Sequence, residues 1–505
     1  MVGLNKNIVR SLLLGSYLLV IVIIISGISA VFVYLNTGAD RSKMLHTELK
    51  KIEQYIPKVD WTPLNNEGRS MDEVTLNTLE NDYLDAWYVS LVAYKTNTKD
   101  VIKDYFTDNA RENRFDFIDL NIKNRITIES TTLEHHPTLN FYSEDGHLAI
   151  LTDTDVLEYK RVFKDEKLIF ETTEKSTYKI ILLLEDGFWR IRHMVKVSTE
   201  NYQKENAKVA SSNLNIRGIN YYPKDTPWDM FGGAFSKNTI SNDFKIIRDS
   251  GLTTVRIFVQ YDDFGKANVI TEKLDKLKQT LDAAEENDLK VVVTLFDFYG
   301  DYSVLNWTLN MQHAKTIVSE LKDHEAIIAW DIKNEPNLDF DSRGELNVIA
   351  WLNALIDLVK SIDSAHAVTI GWSDIQSAAI LKDKVDFISF HYYEDLDNLA
   401  ASIKSLKAKA PNKPLVMGEF GMSSYSGLWN PFGNSNNDQA DYYEKAQKII
   451  SENDIQFMSW TLYDFVNIPN EVVGGLPWRK NAQKYYGFID DNGTKKAAFK
   501  FISGQ

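Results

Sequence analysis

From residue 213 onward, short apolar runs alternate eight times with helix-like stretches, and this rhythm constrains the fold more than any other feature of the chain. The runs are LNIRGINYY (214–222), TTVRIFV (253–259), LKVVVTLFDF (289–298), IIAWDIKNEP (327–336), AVTIGWS (367–373), VDFISFHYY (385–393), PLVMGEFG (414–421) and FMSWTLYDF (457–465). They read as buried strands. Between them, segments such as NDFKIIRDSG, TEKLDKLKQTLDAAEEND and LNVIAWLNALIDLVKSI carry helical periodicity with acidic or glycine ends. Eight such units in nearly 300 residues predict an α/β fold of the (β/α)8 barrel type over 213–505. A doubly wound open sheet is the rival. It would usually bring a glycine-rich nucleotide loop, and neither GxGxxG nor GxxxxGK[ST] occurs.

In a barrel, catalysis sits just past the C-terminal ends of the strands. Here those ends carry Tyr221 and Tyr222, Arg256, Asp297, Asn334 and Glu335, Trp372, His391 and Tyr393, Glu419, and Trp460. Packing alone would favour branched apolar side chains at such places. Two glutamates that each stop an apolar run, Glu335 in NEP and Glu419 in GEF, suggest paired-carboxylate chemistry on a glycosidic bond.

NEP on the fourth strand, His391-Tyr392-Tyr393 on the sixth, GEF on the seventh and Trp460 on the eighth together resemble glycoside hydrolase family 5 over about 213–505. That family is the cellulase and mannanase group of retaining barrel glycosidases. The resemblance implies Glu335 as general acid/base and Glu419 as nucleophile, with Asn334 as the amide bound to the sugar 2-hydroxyl. It implies that Arg256 and Tyr393 hold the nucleophile charged and oriented, that His391 bonds on the substrate and acid side, and that Trp460 is the aromatic platform. Arg256 is then expected to keep Glu419 ionised, while repulsion and partial burial raise the pKa of Glu335. Many cellulase-type members carry a histidine after the third strand; TLFDFYGDY (294–302) offers Asp297 or Tyr299 there instead. Tyr222 belongs to the same supporting set. Trp228, Phe231, Trp307, Trp429 and Trp478, in expected rim loops, are candidates to stack on sugar faces, and 423–438 and 466–480 are candidate substrate loops.

Residues 70–205 read as a separate α+β domain. Apolar residues at three- and four-residue intervals predict a helix over Met71–Asn97, and a shorter helix is expected within 100–115. Alternating segments follow, with SEDG (143–146) and EDG (185–187) as hairpin turns. The pattern over about 70–200 resembles the cone-shaped domains related to nuclear transport factor 2. Asp116, His135, Tyr142 and His193 would line a pocket in such a cone, although a spacer or dimerisation module is the favoured reading.

Residues 11–35 carry no charge, enough at about 1.5 Å per residue for a helix to cross a hydrocarbon core of roughly 30 Å. Lys6 and Arg10 precede this segment, which favours a short cytoplasmic tail over 1–10 and an extracytoplasmic catalytic domain. A cleaved signal peptide ending near SGISA is the rival. Residues 36–69, with Pro57 and Pro63, read as a juxtamembrane linker. The net charge of −15 argues against nucleic acid as a partner, and the lack of cysteine excludes disulfides and thiolate chemistry. No metal or organic cofactor is expected. The chain is thus expected to be a membrane-anchored retaining glycosidase acting on β-glucan or β-mannan. A transglycosylase with the same residues and a non-catalytic carbohydrate-binding scaffold are the alternatives.

Overall fold

The computed structural model describes residues 55–202, 214–427, 430–473 and 476–504, together with the helical residues 16, 19–22 and 24. The uncharged segment 11–35 therefore lies mostly outside the described residues. Among the described residues no helix is long and apolar enough to cross a membrane.

The first unit is an antiparallel sheet with two helices. Short strands β1 (Lys58–Val59) and β2 (Glu67–Gly68) pair in parallel with β3, so the stretch expected as the end of a linker forms a sheet edge. Tyr55 is buried there, which draws the preceding chain onto the domain. Helix α1 (Glu73–Thr96) starts at Asp72, whose carboxylate accepts from the Thr75 amide at 2.9 Å, and ends at Asn97 in the left-handed conformation. Its buried face carries Leu79, Tyr83, Ala86, Trp87 and Ala93.

The second helix, α2, spans Asp108–Asn124 rather than lying within 100–115. Ile102, Tyr105 and Phe106 are core residues, a single 3-10 turn forms at Asp100–Ile102, and Phe106 bridges to Ile191, so the helix starts only after Thr107. Strands β3 (Ile126–Tyr142), β4 (Leu148–Lys164), β5 (Lys167–Glu185) and β6 (Phe188–Asn201) then follow in antiparallel order. The turn between β5 and β6 places Asp186 and Gly187 at φ 54° and 85°, the left-handed pair that matches strand twist in a two-residue hairpin.

The four residues expected to share a pocket do not meet. Asp116 and His193 are exposed, and Tyr142 is buried. His135 lies in the core, with Nδ1 2.6 Å from Asp153 and Nε2 2.7 Å from the Thr132 hydroxyl. Tyr83 of α1 donates to the same Asp153 carboxylate at 2.7 Å, so the network ties helix to sheet.

The second unit is a closed barrel of eight parallel strands. These are β7 (Arg217–Asn220), β8 (Thr254–Gln260), β9 (Lys290–Asp297), β10 (Ile327–Asn334), β11 (Ala367–Trp372), β12 (Ile388–Tyr392), β13 (Leu415–Phe420) and β14 (Gln456–Ser459). Helices α3 (Lys237–Asp249), α4 (Thr271–Glu286), α5 (Trp307–Leu321) and α6 (Glu345–Ile362) follow the first four strands in turn; α7 (Leu399–Lys409) follows β12 and α8 (Asn436–Glu452) follows β13. The alternation is incomplete between β11 and β12, where only a single turn at Ser377–Ala379 forms. The fifteen residues 373–387 between those strands are too few for a full helix and its two connections.

Inside the barrel, Ile216, Val292, Ala329, Ala367, Phe387, Val416 and Met458 plug the end where strands begin. Toward the other end the interior turns polar, with buried Thr294, Asp331, Thr369 and Ser389, then Asn220, Arg256 and His391. The apolar plug shuts one mouth, so chemistry can occur only at the other.

The two units touch along β4 and the outer helices. Tyr159 stacks on Trp307 with centroids 4.3 Å apart, and buried Arg161 donates to the Asn347 side chain at 2.7 Å and the Leu346 carbonyl at 2.5 Å. Trp307, expected in a rim loop, is therefore an interface residue.

Candidate active site

The fourth strand builds one half of the site. Along β10, Trp330 and Ile332 join the core under the helices, while Ala329 joins the barrel plug and Asp331 bonds Arg256. Pairing with β11 shifts register between Asp331 and Asn334, and Glu335 takes a left-handed φ of 51°. A bulge followed by a strained residue re-aims consecutive side chains, here Asn334 and Glu335, toward one mouth. The Glu335 amide donates to the Gly371 carbonyl at 2.7 Å, which fixes this turn to β11.

The other half comes from β12 and β13, where His391 and Glu419 are register partners beside another irregularity. A carboxylate oxygen of Glu335, one of Glu419 and a ring nitrogen of His391 lie within 4.8 Å of one another. That spacing agrees with the roughly 5–5.5 Å of retaining glycosidases and is too short for the water that an inverting pair encloses. His391 Nδ1 is 2.8 Å from Glu335 Oε1, and its buried Nε2 has no partner among the described residues, so we assign the ring hydrogen to Nδ1, donating to Glu335. Tyr393 donates its hydroxyl to Glu419 Oε1 at 2.6 Å, and Arg256 Nη1 lies 3.6 Å from Glu419 Oε2.

Arg256, 1% exposed, has a closer partner than Glu419. Its Nη2 donates to Asp331 at 2.6 Å and to Asn334 Oδ1 at 2.9 Å, its Nη1 to Asn220 at 3.1 Å, and its Nε to Thr294 and Asp331, each at 3.1 Å. Three donor groups within 4.8 Å also suit a cation. The guanidinium beside Glu419 already supplies positive charge there, which favours proton chemistry over a metal centre.

The two carboxylates are pushed in opposite directions, Glu335 down and Glu419 up. Burial is the strongest influence on both carboxylates and disfavours their charge. On Glu335 it is outweighed by the His391 hydrogen bond and by the charges of His391, Arg256 and Lys333, which hold its pKa below the usual value. On Glu419 burial prevails, aided by the charge of Glu335, against the pull of His391, Arg256 and Tyr393, and the pKa rises. Arg256, expected to keep Glu419 ionised, does pull its pKa down, but burial and the charge of Glu335 work against that pull. Two carboxylates that share His391 and Arg256 titrate as a unit.

The supporting residues gather unevenly. Asp297, 3% exposed, accepts from the Tyr222 hydroxyl at 3.3 Å, and burial pushes its carboxyl up to about 6 against the pull of Lys333 and Arg256. Tyr299 is elsewhere: it donates to Asn310 at 2.9 Å and stacks on Trp351. Asp297 therefore takes the place left open after the third strand. Trp460 is only 5% exposed, wedged against Tyr222, Trp228, Phe258 and Phe465. Trp228 and Phe231 are buried too, and Trp372 and Tyr221 are core residues, Tyr221 bonded to Asp243 at 2.7 Å. Trp429 and the side chain of Trp478 lie outside the described residues.

Asp331, Lys333, Gly371 and Tyr486 were not among the candidate residues. Asp331 and Lys333 carry a readable signal, since charges at period two in an apolar run share one face of the strand. Gly371 has none. Its amide donates to Asp331 Oδ1 at 2.9 Å, and a Cβ there would sit 2.6 Å from Arg256 Nη2 and 3.3 Å from His391 Nε2. Tyr486 packs edge-on against Tyr393 at 6.1 Å. Gly371→Ala is expected to push Arg256 off Asp331 and lower kcat about 100-fold, the scale of a 1 Å misplacement, in a protein whose circular dichroism is unchanged. A folded variant with undiminished kcat would refute this role.

A closed barrel with a buried cation and two adjacent carboxylates at its polar mouth defines a retaining-glycosidase class of site. Residues 204–466, more than half the chain, match the family Cellulase (glycosyl hydrolase family 5), and the chain belongs to glycosyl hydrolase family 5. It is similar to a probable mannan endo-1,4-beta-mannosidase A of Aspergillus oryzae, 24% identical over 256 residues, covering 38% of this chain and 66% of that relative. Mannan endo-1,4-beta-mannosidase 3 of Arabidopsis thaliana is 27% identical over 238 residues, covering 37% of this chain and 54% of its own. The chain thus spans between about half and two thirds of the length of these relatives. Among solved structures, an exo-beta-1,4-mannosidase from Opitutaceae bacterium strain TAV5 superposes with a TM-score of 0.48 at 17% identity, covering 60% of this chain and 61% of that one.

Proposed function

We propose that the chain hydrolyses a β-linked mannan or glucan by double displacement. The observation that carries this reading is the Glu335–Glu419 pair, with donors divided between its members: His391 on Glu335, Tyr393 and Arg256 on Glu419. Glu419 attacks the anomeric carbon while Glu335 gives its proton to the leaving oxygen. For this, the bound substrate must leave the proton on Glu335 and the charge on Glu419. Positive charge growing on the sugar ring favours ionised Glu419, and a leaving oxygen seated on Glu335 draws the proton there. Once Glu419 is esterified its charge is gone, and Glu335 takes a proton from the attacking water. Asn334, oriented by Arg256, meets the 2-hydroxyl, and the Trp460 cluster lies beneath the sugar.

The names of the relatives favour a β-1,4-mannan over a glucan. Release of reducing ends from β-1,4-mannan and β-1,4-glucan by the purified full chain tests the reading, with mannan expected to be the better substrate. A correctly folded protein that releases none from either polymer would sink it. The uncharged run 11–35 supports a membrane-anchored, extracytoplasmic placement. The full chain should then sediment with membranes, and a chain starting at residue 36 should not.

A further inference from the structure

Arg161, on β4 of the small domain, is 1% exposed and turns its donors to the barrel. The Glu171 carboxylate lies 3.8 Å from its Nε, beyond hydrogen-bond distance, while Asn347 and the Leu346 carbonyl take Nη1 and Nη2. Both acceptors stand in the first turn of α6. A helix start carries partial positive charge, so electrostatics disfavours a buried cation there. What this contact supplies is position. Asn347 passes it on, its Nδ2 donating at 2.8 Å to the carbonyl of Arg343 in a wide π turn over Phe340–Gly344. That turn continues from Glu335 through the short turn Pro336–Asp339. The first part of the segment is pinned to the barrel, Asn337 donating to Ser373 at 2.7 Å and to Asp374 at 2.6 Å. Residues 341–346 are all exposed, and Gly344 offers α6 no side-chain cap. Beyond Phe340, which meets the Trp372 ring at 6.3 Å, the fixed point is the Arg161–Asn347 bond. The small domain also holds the neighbouring loop: Lys95 of α1 donates to Ser303 at 3.2 Å, and the adjacent Tyr302 donates to Asp339.

We propose, resting on the glycosidase reading, that Arg161 is a positioning residue through which the small domain holds the leaving-group side of the cleft. Glu335 gives its proton to the leaving oxygen, so the chain that runs on from it flanks the part of the substrate that departs. A π turn is a rare backbone choice that recurs at functional sites. One guanidinium, bonded to both Leu346 and Asn347, fixes the start of α6 and, through Asn347, the Arg343 carbonyl. The turn therefore cannot drift without breaking the contact between the two units. On this reading the small domain is part of the frame of the cleft and not a spacer.

The test compares kcat/KM of the full chain on two substrates. One is a β-1,4-linked manno- or gluco-oligosaccharide, whichever the wild type cleaves, and the other is the dinitrophenyl glycoside of the same sugar. Dinitrophenolate departs without a proton and places no sugar on the leaving-group side. In Arg161→Met, kcat/KM on the oligosaccharide is expected to fall roughly 10-fold, while that on the dinitrophenyl glycoside stays within about 2-fold. General loosening of the fold would lower both alike. Arg161→Lys, which can reach one acceptor, is expected to recover part of the loss. Amide hydrogen exchange over 340–347 should quicken in Arg161→Met while that over 388–420 is unchanged. Equal losses on the two substrates, or no loss, in folded Arg161→Met overturn the proposal. Should that variant not fold, Asn347→Ala, which removes the same bond from the barrel side, is judged by the same comparison. If the wild-type chain cleaves neither substrate, the glycosidase reading fails, and unchanged exchange over 340–347 in the variant then overturns the positioning role by itself.

Discussion

Glu419→Ala is expected to lose about 10⁵-fold or more in kcat, and added azide is expected to restore turnover with a product of inverted anomeric configuration. The variant opens the face from which Glu419 would attack, and a small anion can enter and take that role. Because no second displacement follows, the sugar leaves as the α-azide. Glu335→Ala is expected to fall by roughly 10²–10⁴-fold, the usual contribution of a general acid–base group. Azide then enters from the leaving-group face after Glu419 has already reacted, and the product is the β-azide. Proton NMR of the anomeric signal reads the configuration directly. Interchanged products would interchange the two roles.

Arg256→Met is expected to destabilise the fold by about 3–5 kcal/mol, the scale of leaving a buried charge without its partner. Asp331 is the stranded group, since it is buried in the barrel and receives two donors from Arg256. Activity is expected to fall further than stability explains, because Glu419 loses its cation and Asn334 loses its orienting donor. The double variant Arg256→Met/Asp331→Leu separates the effects. It removes both charges, so denaturant unfolding should recover most of the lost stability while kcat stays low. Stability that remains low in the double variant would show that Arg256 acts through packing, for example over the Phe258 ring at 4.7 Å.

The barrel is legible because eight mostly apolar runs recur between helix-like stretches and end in polar or aromatic residues, a pattern that depends largely on local covering by helices. The run 253–259 was expected and Thr254–Gln260 forms. The break in the pattern after β11 was less visible, since SDIQSAAILKDK contains helix formers but not enough length. The shifted second helix of the small domain was hidden for a different reason. Nothing local in 100–107 says that Phe106 will pair with Ile191, a residue 85 positions away. Rim aromatics misled in the same way: Trp307 and Phe231 look like sugar platforms until their burial is known.

By itself the sequence determined which chemistry this protein can perform, because NEP and GEF end their strands on carboxylates whatever surrounds them. It also placed Asp331 and Lys333 on one face of their strand, through strand alternation. Only the tertiary structure decided how charge is shared among those groups. Coulomb and burial effects depend on distances across strands, so Arg256 turns chiefly to Asp331, His391 bonds Glu335, and Gly371 leaves just enough room for both.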